Sequence, residues 1–234
     1  MPIPISAEGG FLRMTLPNGA LIEGSATHLM SALHSVVYRE AFSEPGAALI
    51  HCVTMVHPVR EEARILIVGA PAAGKTTLAL RLLSEGYAIE GDEHFAIGAE
   101  RSIVRPRTLR VKAGSLAFAL GLAAAIEASP KILFWDGAPL YSVSPAIAGR
   151  PWRIVPGKVE SIVFLEANHG GLSRLKPIGV DEAMRRLMRE TTLPQTGVGP
   201  AVARLRAMLL AANRHTLLLG DLERAIWQLS KTLF

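Results

Sequence analysis

The chain has 234 residues, half of them hydrophobic and 19% charged, with a net charge of +5 at pH 7. That balance excludes wholesale disorder and suits one large domain, or a domain with a small appendage. The basic excess fits a phosphate-rich ligand but is too common to identify one.

The single cysteine, Cys52, excludes an internal disulfide framework and fits a reducing compartment. The start, "MPIPISAEGGFLRM", lacks the basic-then-apolar layout of a secretory signal. The longest apolar tract, "LAFALGLAAAIEA", meets Glu127 well short of the ~20 residues that span a bilayer. A cytoplasmic protein with no membrane partner is expected.

Residues 1–48 alternate weakly and then offer a helix, "SATHLMSALHSVVYREAF", capped by Ser25 or Thr27. They form a strand and helix extension expected to pack on a core domain of residues 49–234. Two strands follow, "ALIHCVTMV" and "ARILIVG", and then the helix "TTLALRLLSE", with Gly86 where a left-handed cap is wanted. "YAIEG" reads as a strand, "SIVRPRTLRV" as extended with turns, "GSLAFALGLAAAIEA" as helical, and "KILFWDG" as a strand. The stretch "GAPLYSVSPAIAGRPW" reads as an irregular loop.

"KVESIVFLEA" is a strand, and the last quarter is mainly helical. "VDEAMRRLMRE" sets Met184, Leu187 and Met188 on one side, and "PAVARLRAMLLAANRH" sets Val202, Leu205 and Leu209 likewise. "TLLLG" returns as a strand, and Asp221 opens the helix "DLERAIWQLSK". The fold class is α/β, with a P-loop nucleotide-binding core and a helical C-terminal cap.

The chemistry concentrates in "ARILIVGAPAAGKTTLAL". Gly69, Gly74, Lys75 and Thr76 satisfy G-x-x-x-x-G-K-[ST], with an apolar strand before the loop and a helix after it. The small residues Ala70, Pro71, Ala72 and Ala73 let backbone N–H groups approach phosphate oxygens, and Thr77 continues into the positive helix N-terminus. Lys75 faces the β and γ phosphates of ATP, and Thr76 offers its hydroxyl to Mg2+.

A phosphoryl-transfer enzyme also needs a carboxylate, and two places supply one. Asp92 and Glu93 end the strand after the P-loop helix. Asp136 ends "KILFWD" in the manner of a Walker B strand, or is a turn aspartate before Gly137. The Asp136 reading gives a conventional P-loop NTPase or a nucleotide-binding regulator as the alternative function.

The runs "IHCVTM" and "ILIVGAPAAGKTTLALRLLSEGYAIEGDEHFAI" resemble the catalytic domain of HPr kinase/phosphorylase and its shorter relatives, the HPr kinase related kinases. Those relatives include lasso peptide kinase-like and serine kinase-like members. The resemblance extends patchily over residues 48–230. It implies a kinase that moves the γ phosphate to a hydroxyl, that of serine foremost, on a peptide, protein or small molecule.

It gives Asp92 the role of base and His51 a place near the γ phosphate. Glu93 stands where the family has a second aspartate, with a metal role implied. The family's separate N-terminal domain and phosphorylase signature have no counterpart in the sequence, so kinase activity is favoured over its reversal. Full-length members are hexamers, which implies a homo-oligomer.

Read from position alone, His51 is also a plausible core histidine. Arg105 and Arg107 suit either an oxyanion or solvent. The helices bearing Arg185, Arg186, Arg189, Arg204 and Arg206 lack interleaved aromatics, so no nucleic-acid partner is expected. Cys52, without a base beside it, reads as a small buried hydrophobe.

Overall fold

The computed structural model describes residues 4–8, 11–16, 19, 21–26, 28–29, 32–33, 46–133, 138–155 and 157–233. The chain divides into two units, Met1–Ser43 with Ile132–Pro139 and Glu44–Lys131 with Leu140–Phe234. In the first, β1 (Ile5–Glu8), β2 (Phe11–Thr15) and β3 (Leu21–Gly24) form an antiparallel sheet in that order. Met14, Leu16 and Leu29 make its small core. Ser25 Oγ accepts from the His28 amide, as a cap would, whereas Thr27 and most of the expected helix lie outside the described residues.

The second unit opens with β4 (Ala48–Val56) and β5 (Ala63–Val68), followed by α1 (Lys75–Ser84), β6 (Ala88–Gly91), β7 (His94–Ile97), β8 (Ser102–Val104) and β9 (Leu109–Lys112). Next in the chain come α2 (Ala123–Glu127), β10 (Lys131–Leu133), whose last two residues belong to the first unit, β11 (Pro139–Val143), which re-enters the second unit at Leu140, β12 (Lys158–Ala167) and β13 (Arg174–Pro177). The chain continues through α3 (Val180–Arg189), β14 (Thr191–Thr192), α4 (Val198–Ala211), β15 (Asn213–Leu219) and α5 (Leu222–Leu233).

The main sheet runs β13-β15-β12-β5-β4-β7-β8, with β5, β12 and β15 parallel and β4 antiparallel to β5. All six residues of β5 are buried, as a central strand covered on both faces requires. Ile65 and Ile67 face a layer made by α1 and α5, through Leu78, Leu82, Ile226 and Leu229. Leu66 and Val68 face the opposite layer, made by α3 and α4 through Ala183, Leu187, Ala201, Leu205 and Leu209. The fold is therefore mixed α/β, with the C-terminal helices divided between the two faces of the sheet.

Ala201, rather than Val202, takes the buried place beside Leu205 and Leu209, while Met184 and Met188 pack at the margin of their layer. The expected helix over 114–128 is split into a 3-10 turn, Ala113–Phe118, and the short α2, with Gly121 between them at φ +71°. The proline-rich stretch after it is more regular than expected: β11 pairs antiparallel with β9, and Pro145–Ala148 forms a 3-10 turn. Pro139 is tolerated because it is the first residue of β11, ahead of the first pair with β9 at Leu140. Asp136 lies outside the described residues.

Candidate active site

The site forms where β4 changes partners. Along one edge, β4 pairs with β5 from Val56 back to Cys52 and with β14 at Ile50 and Leu49, leaving His51 at the changeover. Val68, opposite Cys52, is the last residue of β5, so the P-loop departs from this gap. Along the other edge, Thr54 pairs with Gly91 and His51 with His94, which puts Asp92 and Glu93 opposite Val53 and Cys52. The Cys52 amide donates to the Glu93 carbonyl, fixing that register. One level of the sheet thereby carries the P-loop, His51 and the acid pair, at the carboxyl end of β5 where open α/β sheets bind ligands.

The loop itself is tightly constrained. Ala72 and Gly74 have φ of +65° and +96°, and the Ala73 amide bonds the Ala70 carbonyl. Gly74 has a left-handed backbone, and a Cβ added there would meet Leu219 at 2.7 Å. Lys75 begins α1 and turns back over the loop, its Nζ donating to the carbonyls of Gly69 (2.5 Å) and Ala70 (3.1 Å). Burial lowers the Lys75 pKa, while the carboxylates of Glu190 and Asp92 pull it upward. A buried ammonium held by carbonyls, above a loop of small residues, fits a polyphosphate. Thr76 follows on the first turn of α1.

Asp92 is buried, and its pKa is raised above the ordinary carboxylate value by that burial. A backbone hydrogen bond from Arg110 and the charges of Lys75, His51 and Arg110 oppose the rise. Its Oδ1 also accepts the Glu93 amide at 2.9 Å. Gly91, just before it, has no room for a side chain: a Cβ would fall 1.9 Å from the Arg105 carbonyl oxygen. This close approach carries the 105–110 segment onto the acid pair.

Glu93 faces arginines. Its carboxylate pairs with Arg107 and lies 3.4 Å from both Arg105 and Arg110. Its φ is +82°, a conformation unfavourable for a residue with a Cβ, and the ion pairs hold it there. Arg105 and Arg107 are thus buried in an ionic cluster and not solvated. Arg105 Nη1 also donates to His94 Nδ1 at 2.9 Å. Burial and the Arg105 charge push the His94 pKa down to about 4, so its ring is neutral at pH 7.

His51 meets Glu190, a residue the sequence reading did not select. The Glu190 carbonyl accepts the His51 amide at 2.7 Å, and its Oε2 lies 3.4 Å from His51 Nδ1. Burial and the Lys75 charge lower the His51 pKa, with Glu190 and Asp92 acting against them. The signal for Glu190 was its position: an acid at a helix C-terminus otherwise rich in arginine opposes the helix dipole and needs another reason to be there. Cys52 is buried with its thiol pushed up to about 12, so it stays protonated.

Beside the loop opens a cleft of about 400 Å³, floored by Val68 and Phe164 and reaching Gly69, Ala70 and Glu190. Its outer wall is α3, with Arg185, Arg186 and Arg189. Among the described residues no three His, Cys, Asp or Glu side chains converge as a metal cluster, and no helix is long and apolar enough to cross a membrane.

No protein-family model matches the chain, and no curated protein matches it. Among solved structures it is similar to the Hpr(Ser) kinase/phosphatase from Coxiella burnetii, at 14% identity and a TM-score of 0.34, over 79% of this chain and 92% of that one.

Proposed function

We propose that the protein is an ATP-dependent kinase that transfers the γ phosphate to an acceptor hydroxyl, that of serine foremost. The observation that carries this reading is the buried Asp92 carboxylate, its pKa raised by burial, in the electrostatic field of the P-loop lysine. A base for a hydroxyl proton works best with a pKa moved toward the operating pH, and an unperturbed surface aspartate has none of that shift.

The amides of Gly74–Thr77 at the start of α1 and the Lys75 ammonium would receive the phosphates. Lys75 exchanges its carbonyl partners for phosphate oxygens, a charge-assisted contact stronger than the one it leaves. Thr76 is the residue to hold Mg2+, which supplies neutralisation of the phosphate charge when bound. Glu93 reaches a metal only by giving up its arginines; in the present arrangement it gathers them, with Arg110 next to Asp92.

Asp92 takes the proton of the acceptor hydroxyl as that oxygen bonds to the γ phosphorus and the bond to the β-γ bridging oxygen breaks. Neutral His51 has a single ring N–H, which the Glu190 carboxylate accepts at Nδ1, so the ring donates to a phosphate oxygen only in its protonated form, which Glu190 and Asp92 favour. Most of the acceleration in such a site comes from positioning and charge neutralisation.

Incubation with γ-labelled ATP, Mg2+ and hydroxyl acceptors tests the reading. Label on an acceptor is the expected result. Label released only as inorganic phosphate would replace the kinase with a hydrolase, and bound but unconsumed ATP would make the protein a nucleotide-dependent regulator.

A further inference from the structure

The cleft beside the P-loop contains charge that the site so far described does not use. Three arginines of α3 line it, and Arg186 is committed: it pairs with Glu166 and, four residues back, with Glu182. Glu190 is taken up by His51. Arg185 and Arg189 are exposed and have no acidic partner among the described residues. They stand at i and i+4 on one helix, a spacing at which like charges repel. The helix dipole accounts for cations in the last turn, but not for two of them on the rim of a cleft that ends at Gly69 and Ala70.

We infer that this cleft is the acceptor subsite, and that Arg185 and Arg189 bind an anionic group, carboxylate or phosphate, carried by the acceptor close to its reacting hydroxyl. Two guanidinium groups flanking a cleft suit bidentate recognition of either oxyanion. The apolar floor of Val68 and Phe164 takes the carbon skeleton between the two ends. The hydroxyl then points along the cleft toward the His51 and Glu190 side of the loop. The inference rests on the kinase reading for what the subsite serves, and on the arginine pair for what it binds.

The test uses three small probes with the full chain, in the presence of Mg2+ and a non-hydrolysable ATP analogue: glycerate, glycerol 3-phosphate and glycerol. Calorimetry should show at least one anionic probe binding about tenfold or more tightly than uncharged glycerol, the scale of a charge-assisted contact. Which anion binds tells carboxylate from phosphate. The double variant Arg185→Gln/Arg189→Gln should lose that preference while keeping its melting temperature and its affinity for the ATP analogue within twofold.

A preference that survives in the variant, or equal binding of all three probes by the wild type, overturns the subsite. So does a tenfold loss of analogue affinity in the variant, which would give the arginines to the nucleotide. A wild-type protein that binds no nucleotide sinks the kinase reading separately. The comparison of wild type with variant, repeated without analogue, still reads the two arginines.

Discussion

Burial separates the roles of two adjacent acids. Asp92 accepts backbone hydrogen bonds from Glu93 and Arg110 and has a raised pKa, while Glu93 is surrounded by guanidinium groups. In sequence both read as a polar turn, and only the P-loop seventeen positions before Asp92 (92 − 75 = 17) singled the pair out. What the sequence did not reveal is their division of labour, because the arginines that make it come from the later 105–110 segment that leads from β8 into β9. Asp92→Asn should lower the transfer rate at least ~100-fold while leaving nucleotide affinity within twofold, measured by single-turnover kinetics and calorimetry.

The same substitution should raise the melting temperature at pH 7. A carboxyl whose folded pKa lies above its unfolded value favours the fold only while protonated. That contribution is present below the unfolded pKa and is lost as pH rises through the folded one. The neutral amide escapes the loss and keeps an oxygen for the Glu93 amide. Transfer by the wild type should correspondingly fall as pH is lowered through a midpoint above the ordinary aspartate range. An acid limb at an unshifted value would remove Asp92 as the base.

Among the elements, β5, α1, β12 and α3 were legible because their patterns are long and one-sided or wholly apolar. β11 was not, since its pairing with β9 is a tertiary contact that outweighs a composition typical of loops. The segment joining α1 to the site has its own anchor. Glu90, fully buried in β6, accepts from Arg64 Nε at 2.5 Å and Nη2 at 2.9 Å and from the Val155 amide at 3.0 Å. Arg64 in turn donates to the carbonyls of Gly157 and Val155. Removing one member leaves the other charge buried without its partner, so Glu90→Ala should cost about 3–5 kcal/mol in urea unfolding. A loss under about 1 kcal/mol would mean the cluster is solvated in solution.

Across the whole second unit, the order of strands could not be read from periodicity, because nothing in the pattern of β12 says that it lies beside β5, nearly a hundred residues earlier. Glu190 escaped notice for the same reason. Its contact with His51 spans 139 residues and depends on β14 docking against β4. Ligand binding acts on the whole unit as well. An ATP analogue with Mg2+ at a hundred times its Kd should stabilise the fold by about 2.7 kcal/mol, or roughly 5–10 °C in a thermal melt. Lys75→Ala should show little of that shift, and an equal shift in the variant would detach the lysine from nucleotide binding.

The late arrival of Glu190 bears on biosynthesis. A ribosome that has reached residue 170 has already delivered the P-loop lysine, the acid pair and its arginines, yet neither α3 with its cleft wall nor the β14 strand that completes the edge of β4 exists. A nascent chain at that stage has the loop lysine and the acid pair without Glu190 beside His51 or the arginines of the cleft wall. Residues 180–192 therefore complete the candidate site that residues 51–110 begin, adding the partner of His51 and the arginine wall of the cleft.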